Sequence, residues 1–267
     1  MFASTLRTRT LLAGALILFA LGLINARAAA AAVTAETSAN WGGYAVTGST
    51  PATPAKFTRV FAAWVQPTAT CVPGQATYSA FWVGLGGFNP GSQALEQVGT
   101  DTDCTVAGQA SYSVWYELVP AAPVTIKLAI RPGDSMVASV AVLGKSVTVK
   151  IINYTLKKSF TKKLTMKSPD VSSAEWIAEA PSTCTRSGMC VPLPLANFGT
   201  VTFVSASATA AGHTGSISDP AWTATAIELG PSGGVGQNPL GGAPQTAGAT
   251  PGALSPTGSS FGVDWIG

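Results

Sequence analysis

Only 12 Asp and Glu residues serve a chain of 267, and several stand where an ordinary strand would stay apolar. "SAEWIAEAP" (173–181) carries Glu175 and Glu179 beside Trp176 and Ile177. "SYSVWYELVP" (111–120) sets Glu117 between Tyr116 and Leu118, and "QALEQVGTD" (93–101) adds Glu96 and Gln97. Side chains alternate faces along a strand, so Glu175, Ile177 and Glu179 share one face, and Trp176, Ala178 and Ala180 the other. Glu96 and Gln97 point to opposite faces by the same rule. A carboxyl kept beside aromatic rings is desolvated, which disfavours its charged form and suits it to proton transfer. A neutral amide such as Gln97 donates hydrogen bonds without titrating.

Other reactive groups are scarce. The single histidine, His213, lies in the small-residue turn "TAAGHTGS", which has no nucleophile signature such as GxSxG. There is no HExxH and no CxxC. Four cysteines allow three pairings, and sequence proximity favours Cys71 with Cys104 and Cys184 with Cys190. Paired cysteines leave no thiol nucleophile. The chemistry left is that of carboxyl and amide groups, with no metal and no cofactor.

These groups must be positioned by strands. "SMVASVAVLGKSVTVKIINYT" reads as two strands joined near Leu143-Gly144-Lys145, and "VTIKLAI" (124–130) alternates apolar and polar residues. Further short strands are expected at 41–48, 57–67, 78–87, 111–120, 200–209 and 221–229. Many short strands separated by Gly, Pro and Ser predict an all-β, antiparallel β-sandwich of two large sheets in a single domain. Residues 230–260 are rich in Gly, Pro, Ala and Thr and read as a loop; "FGVDWI" (261–266) reads as a closing strand that returns to the sheet.

The N-terminus has another purpose. Arg7 and Arg9 precede the apolar run Leu11 to Ile24, and Ala26-Arg27-Ala28 follows. This is the pattern of a secretory signal peptide over 1–28, with a short segment 29–39 before a domain at 40–267. Export to an extracellular or periplasmic space agrees with the cysteines. Removing Arg7, Arg9 and Arg27 takes the 15 basic residues to 12, equal to the acids. A near-neutral chain gives no reason to expect nucleic acid as partner, and no later segment is apolar enough to span a membrane. Seven lysines between Lys145 and Lys167, with no acid among them, read as the solvated face of two strands.

"NWGGY" (40–44), "FWVGLGG" (81–87), "LEQVGTD" (95–101), "YSVWYELVP" (112–120) and "AEWIAEAP" (174–181) occur in this order. Together they resemble the glutamic peptidases, the eqolisin family (peptidase G1) of acid-acting, pepstatin-insensitive endopeptidases. The resemblance runs from Asn40 to the final strand and implies a lectin-like β-sandwich. It implies a Gln and Glu dyad at Gln97 and Glu179. Trp41 and Trp82 match aromatics of the cleft, Glu117 matches an acid near the site, and Glu175 matches a supporting acid on the substrate-binding side. The implied partners are polypeptide substrates, and a monomer is expected. The fungal members carry an acid in the loop after "WVG", where this chain has Leu85-Gly86-Gly87.

The rival reading is a secreted, lectin-like glycoside hydrolase or carbohydrate-binding protein, since aromatic clefts also suit sugars. A retaining glycosidase needs carboxyls about 5–5.5 Å apart. Glu175 and Glu179 sit roughly 13 Å apart by strand rise and are not that pair; Glu117 with Glu179 would be the alternative.

Overall fold

The computed structural model describes residues 1–2, 33–49, 55–184, 190–230 and 246–267. Nearly all of the leader expected over 1–28, and residues 231–245 of the loop expected over 230–260, lie outside the described residues.

The described residues form strands and no α-helix. The first six are β1 (Val33–Ser38), β2 (Trp41–Gly48), β3 (Phe57–Val65), β4 (Ala80–Gly86), β5 (Leu95–Cys104) and β6 (Ala110–Val119). Next come β7 (Val124–Ile126), β8 (Ser135–Leu143), β9 (Ser146–Asn153), β10 (Lys158–Thr165), β11 (Ser173–Glu179) and β12 (Ser182–Cys184). The last are β13 (Cys190–Pro192), β14 (Thr200–Ala210), β15 (His213–Gly215), β16 (Trp222–Leu229), β17 (Gly248–Pro251) and β18 (Phe261–Ile266).

Local sequence explains most of these elements. In β8 the buried residues alternate as Met136, Ala138, Val140 and Val142; β9 answers with Val147, Val149 and Ile151. The pair closes with Leu143 opposite Ser146 across Gly144-Lys145, where Gly144 takes φ 59°. Such a two-residue turn needs a left-handed backbone that glycine supplies without steric cost. One expected strand is shorter than its alternation suggests. β7 stops at Ile126 because Leu128 N–H donates to the Ile126 carbonyl at 2.8 Å, a local turn that takes the chain off the ladder.

One hydrogen-bonded path runs β10-β9-β8-β3-β14-β18-β17-β16-β2-β11-β4-β5-β6-β7. β1 adds to β16 in parallel and β15 adds to β14. All other pairings between these strands are antiparallel, and outside them Tyr78 bridges Leu195 in parallel. The path folds over as a two-layer sandwich, so the layers expected as separate sheets are seamed along one side by β17 and β18. The closing strand β18 pairs with β14 through Phe203 opposite Phe261 and with β17 through Ala249 opposite Trp265. Between the layers lies the main core, which includes Phe57, Trp64, Phe81, Val98, Trp176 and Phe203. Two indoles bond across it: Trp176 Nε1 donates to Phe61 O at 2.9 Å, and Trp64 Nε1 to Thr100 Oγ1 at 3.3 Å.

Both disulfides expected from proximity are present. Cys71–Cys104 ties the segment after β3 to the end of β5, and Cys184–Cys190 closes the β12–β13 ribbon.

Candidate active site

Five neighbouring strands, β2, β11, β4, β5 and β6, carry a second surface on the side away from the main core. Register sorts it into rows. Trp41, Glu179, Ala80, Asp101 and Ser113 stand side by side in one. Gly43, Ile177, Trp82, Gly99 and Trp115 form the next, and Ala45, Glu175, Gly84, Gln97 and Glu117 the third. Trp41, Trp82, Gln97, Glu117, Glu175 and Glu179 therefore share one face, while Glu96 takes the other. Trp176, the apolar partner of the opening motif, points into the main core and is fully buried.

Glu179 is held from two sides. Trp82 Nε1 donates to its Oε2 at 2.6 Å, and Asn40 Nδ2 to its Oε1 at 3.0 Å. Burial pushes its pKa up to about 7; the Trp82 bond opposes this, and the charge of Glu117 adds to it. Two donors on one carboxylate favour the ionised form while a dry setting disfavours it, so the proton is held near neutrality.

Gln97 is buried, and its Nε2 donates to Glu117 Oε2 at 2.7 Å. An ionised carboxylate only accepts, so Glu117 fixes which end of the amide faces it. The second N–H remains available, and Oε1 has no protein partner. Burial also raises the Glu117 pKa, against the bond from Gln97.

No hydrogen bond joins Gln97 to Glu179. They stand on strands separated by β4, two rows apart. On a flat sheet that is roughly 13 Å along the strands and roughly 10 Å across them between backbones. Trp82 spans the gap. A Cβ on Gly84 would lie 2.9 Å from Trp82 Cζ3, while the indole Nε1 touches Glu179. At Gly99 the neighbouring strand itself is in the way, since a Cβ would collide with the Phe81 carbonyl and come within 2.6 Å of Trp82 Cβ. Gly84 thus lacks a side chain because the indole occupies its space, and Gly99 because β4 passes too close. Glu117 links the two ends: it bonds Gln97 and raises the pKa of Glu179.

Trp82 is fully buried as a floor, and Trp41 packs edge-on against it with centroids 5.0 Å apart. Glu175 is wholly buried, and neither carboxyl oxygen has a hydrogen-bond partner. Burial holds its pKa well above the usual range; the nearby Ser173 hydroxyl lowers it only in part, and Asp170 and Glu96 push it further up.

Three participants were not singled out from sequence. Asn40 sits one residue before Trp41. Asp101 accepts from Trp115 Nε1 and Ser113 Oγ, both at 2.6 Å, and burial raises its pKa to about 7. Trp115 completes the middle row. The signal for these two was parity: Asp101 lies four residues beyond Gln97, and Trp115 two before Glu117. The loop after β4 has no acid of its own, and Asp170 supplies one from the segment before β11. Its carboxylate accepts from the Ser92 hydroxyl and from Gly87 N. Burial raises the Asp170 pKa, but the Ser92 and Ser172 donors outweigh it and hold the group below the usual range.

A two-layer β-sandwich whose outer face combines a Trp-held glutamate with a glutamate-held glutamine defines a class, the β-sandwich glutamic peptidases. The chain belongs to the peptidase A4 family, whose model matches residues 39–234. Aspergillopepsin-2 of Aspergillus niger is 33% identical over 159 residues, 58% of this chain and 52% of that protein, so the chain spans about half that relative's length. Among solved structures, scytalido-glutamic peptidase with a transition state analog inhibitor superposes with a TM-score of 0.67 at 24% identity, covering 86% of this chain and 99% of that one. Aspergilloglutamic peptidase from Aspergillus niger gives a TM-score of 0.55 at 27% identity over 71% of this chain and 99% of that one.

Proposed function

We propose that the protein is a secreted, acid-acting, metal-independent endopeptidase in which Glu179 activates water and Gln97 stabilises the oxyanion. The supporting observation is the grip on Glu179: two N–H donors set one carboxylate on the face that also carries a pinned amide. Ionised Glu179 takes a proton from water as the oxygen attacks the scissile carbonyl, then gives it to the departing amine. The second N–H of Gln97 donates to the developing oxyanion, a contribution of roughly 2.7–4 kcal/mol for donors of this kind. Glu117 holds the amide through its bond from Nε2, accepted by the carboxylate when ionised and by the carbonyl oxygen when protonated. Trp41 borders the substrate, and Trp82 and buried Glu175 support the face from beneath. Carboxyl and amide together supply both functions, so no metal is required, and the substrates are polypeptides. The sugar-hydrolase alternative gains nothing from a chain of the peptidase A4 family.

Acid working places a condition on this base. With a midpoint at about 7, its ionised form is a minority in acid; two pH units lower, roughly one molecule in a hundred carries it. Protonation of Glu117 in acid removes the like charge that adds to this rise in Glu179, and the Trp82 and Asn40 donors oppose the burial that remains. The test is digestion of an unfolded protein from about pH 3 to about pH 7, with a chelator present. New internal termini, read by mass spectrometry, are expected. Their absence at every pH would overturn the proposal.

A further inference from the structure

Charge is divided between the two layers. The strands β1, β16, β2, β11, β4, β5 and β6 hold acids but no lysine or arginine. The strands β3, β8, β9 and β10 hold Arg59, Lys150, Lys158, Lys162 and Lys163 but no acid. Register places these cations. Arg59, Ala141, Thr148 and Lys163 stand in one row, and Phe61, Ser139, Lys150 and Thr161 form another. Both rows face away from the main core, because Val60, Val140 and Val149 in the row between them are buried in it. Lys56 precedes β3, Lys145 sits in the turn between β8 and β9, and Lys167 follows β10, all at the strand ends nearest Arg59 and Lys163. Lys56, Arg59, Lys145, Lys150, Lys163 and Lys167 are all exposed.

These charges have no partner within the chain. Among the described residues the one ion pair is His213 with Asp219, so no described lysine or arginine meets a carboxylate. Guarding a sheet edge explains part of the set, since β10 ends the path and lysine on an edge strand discourages pairing with another chain. It does not explain Lys56 and Arg59, three strands further in, or Lys145 in its turn. Lys162 faces the other way: it donates to Tyr116 Oη at 2.9 Å and lies over that ring. Like charges gathered on one face repel each other, and a bound polyanion relieves that repulsion.

We propose that this end of the β3-β8-β9-β10 face binds a linear polysaccharide that carries carboxylates. Arg59 and Lys163 stand three strand spacings apart, roughly 14 Å, a span that suits an extended polymer rather than one small anion. The hydroxyls of Ser139, Thr148 and Thr161 lie among the cations and match the donors and acceptors of sugar hydroxyls. Other polyanions fit less well. Single-stranded nucleic acid is held by rings on which its bases stack, and the one ring in these two rows, Phe61, has the Arg59 guanidinium over it at 5.8 Å. A lipid surface is held by apolar side chains that enter it, and at this end of the four strands Leu143 is the one large apolar side chain exposed. The candidate active site faces outward from the opposite layer, so a polymer held here leaves it open. The inference does not depend on the peptidase reading.

The test measures binding to immobilised polygalacturonate at about pH 5 and low salt, with neutral dextran as the reference. The wild type should bind the first and not the second, and more weakly as salt is raised. Lys145→Gln, Lys163→Gln and Lys167→Gln combined should weaken binding about tenfold, the sum of three exposed ion pairs. Arg131→Gln, Lys157→Gln and Lys158→Gln combined remove the same charge from the opposite ends of these strands, and should leave binding within about twofold of wild type. Equal losses in the two triple variants would reduce the effect to net charge and overturn the proposal. So would a wild type that does not bind polygalacturonate, or one that binds phosphatidylglycerol vesicles or single-stranded DNA more tightly at the same salt.

Discussion

Glu96 tests how the fold treats buried acids. It is wholly buried on the main-core side of β5, where Oε1 accepts from Asp170 N at 3.2 Å and Oε2 has no protein partner. Burial raises its pKa from 4.5 to about 8; the Asp170 backbone bond opposes this, and the Asp170 charge adds to it. At neutral pH the folded chain therefore holds a proton that the unfolded chain releases. The folded state binds more protons between the two values, so stability falls as pH rises from the ordinary carboxyl range towards 8. The slope contributed by one such group is about 1.4 kcal/mol per pH unit. Glu96→Gln keeps the shape and one acceptor but cannot titrate. Between about pH 5 and about pH 7 the wild type should lose roughly 3 kcal/mol more than this variant. Urea unfolding of both proteins at several pH values, with disulfides intact, reads the difference directly. Stability curves that run parallel across that range would refute the reasoning, because they would mean that Glu96 ionises alike in both states.

Three further outcomes follow from the site and its frame. Trp82→Phe removes the 2.6 Å donor to Glu179. A bond to a charged group is worth about 1.5–3 kcal/mol, so the ionisation limb of kcat/KM should move to higher pH and the rate below it should fall about 10–100-fold. Glu117→Gln removes the like charge that raises Glu179, so the same limb should move to lower pH; an unmoved limb would detach Glu117 from the base. Opening Cys71–Cys104, which spans 33 residues, should cost more stability than opening Cys184–Cys190, which spans 6. Chain-entropy reasoning gives about 4 against about 2 kcal/mol, measurable by denaturation of the double-serine variants.

Alternation made most strands legible from sequence. β8 and β9 expose their buried sets at every second residue, and β18 had to return because Phe261 and Val263 are apolar at the end of the chain. Parity also assigned Glu175 and Glu179 to one face. What parity could not supply is register between strands distant in sequence. Nothing local says that Gly84 lies between Glu175 and Gln97, or that Asp101 shares a row with Glu179. Those pairings depend on how β4 threads between β11 and β5. The seam through β17 and the parallel addition of β1 are also tertiary. Burial of Asp101 and the arrival of Asp170 beside Gly87 depend on the same long-range packing.

The role of Glu179 is the claim on which the functional reading turns. The most direct measurement is kcat/KM for one cleaved peptide in wild type and in Glu179→Gln, alongside the thermal unfolding of both. Loss of a general base typically costs about 10²–10⁴-fold, and a fall of that size is expected with unfolding that stays cooperative. A folded Glu179→Gln protein that hydrolyses the peptide at the wild-type rate would contradict it.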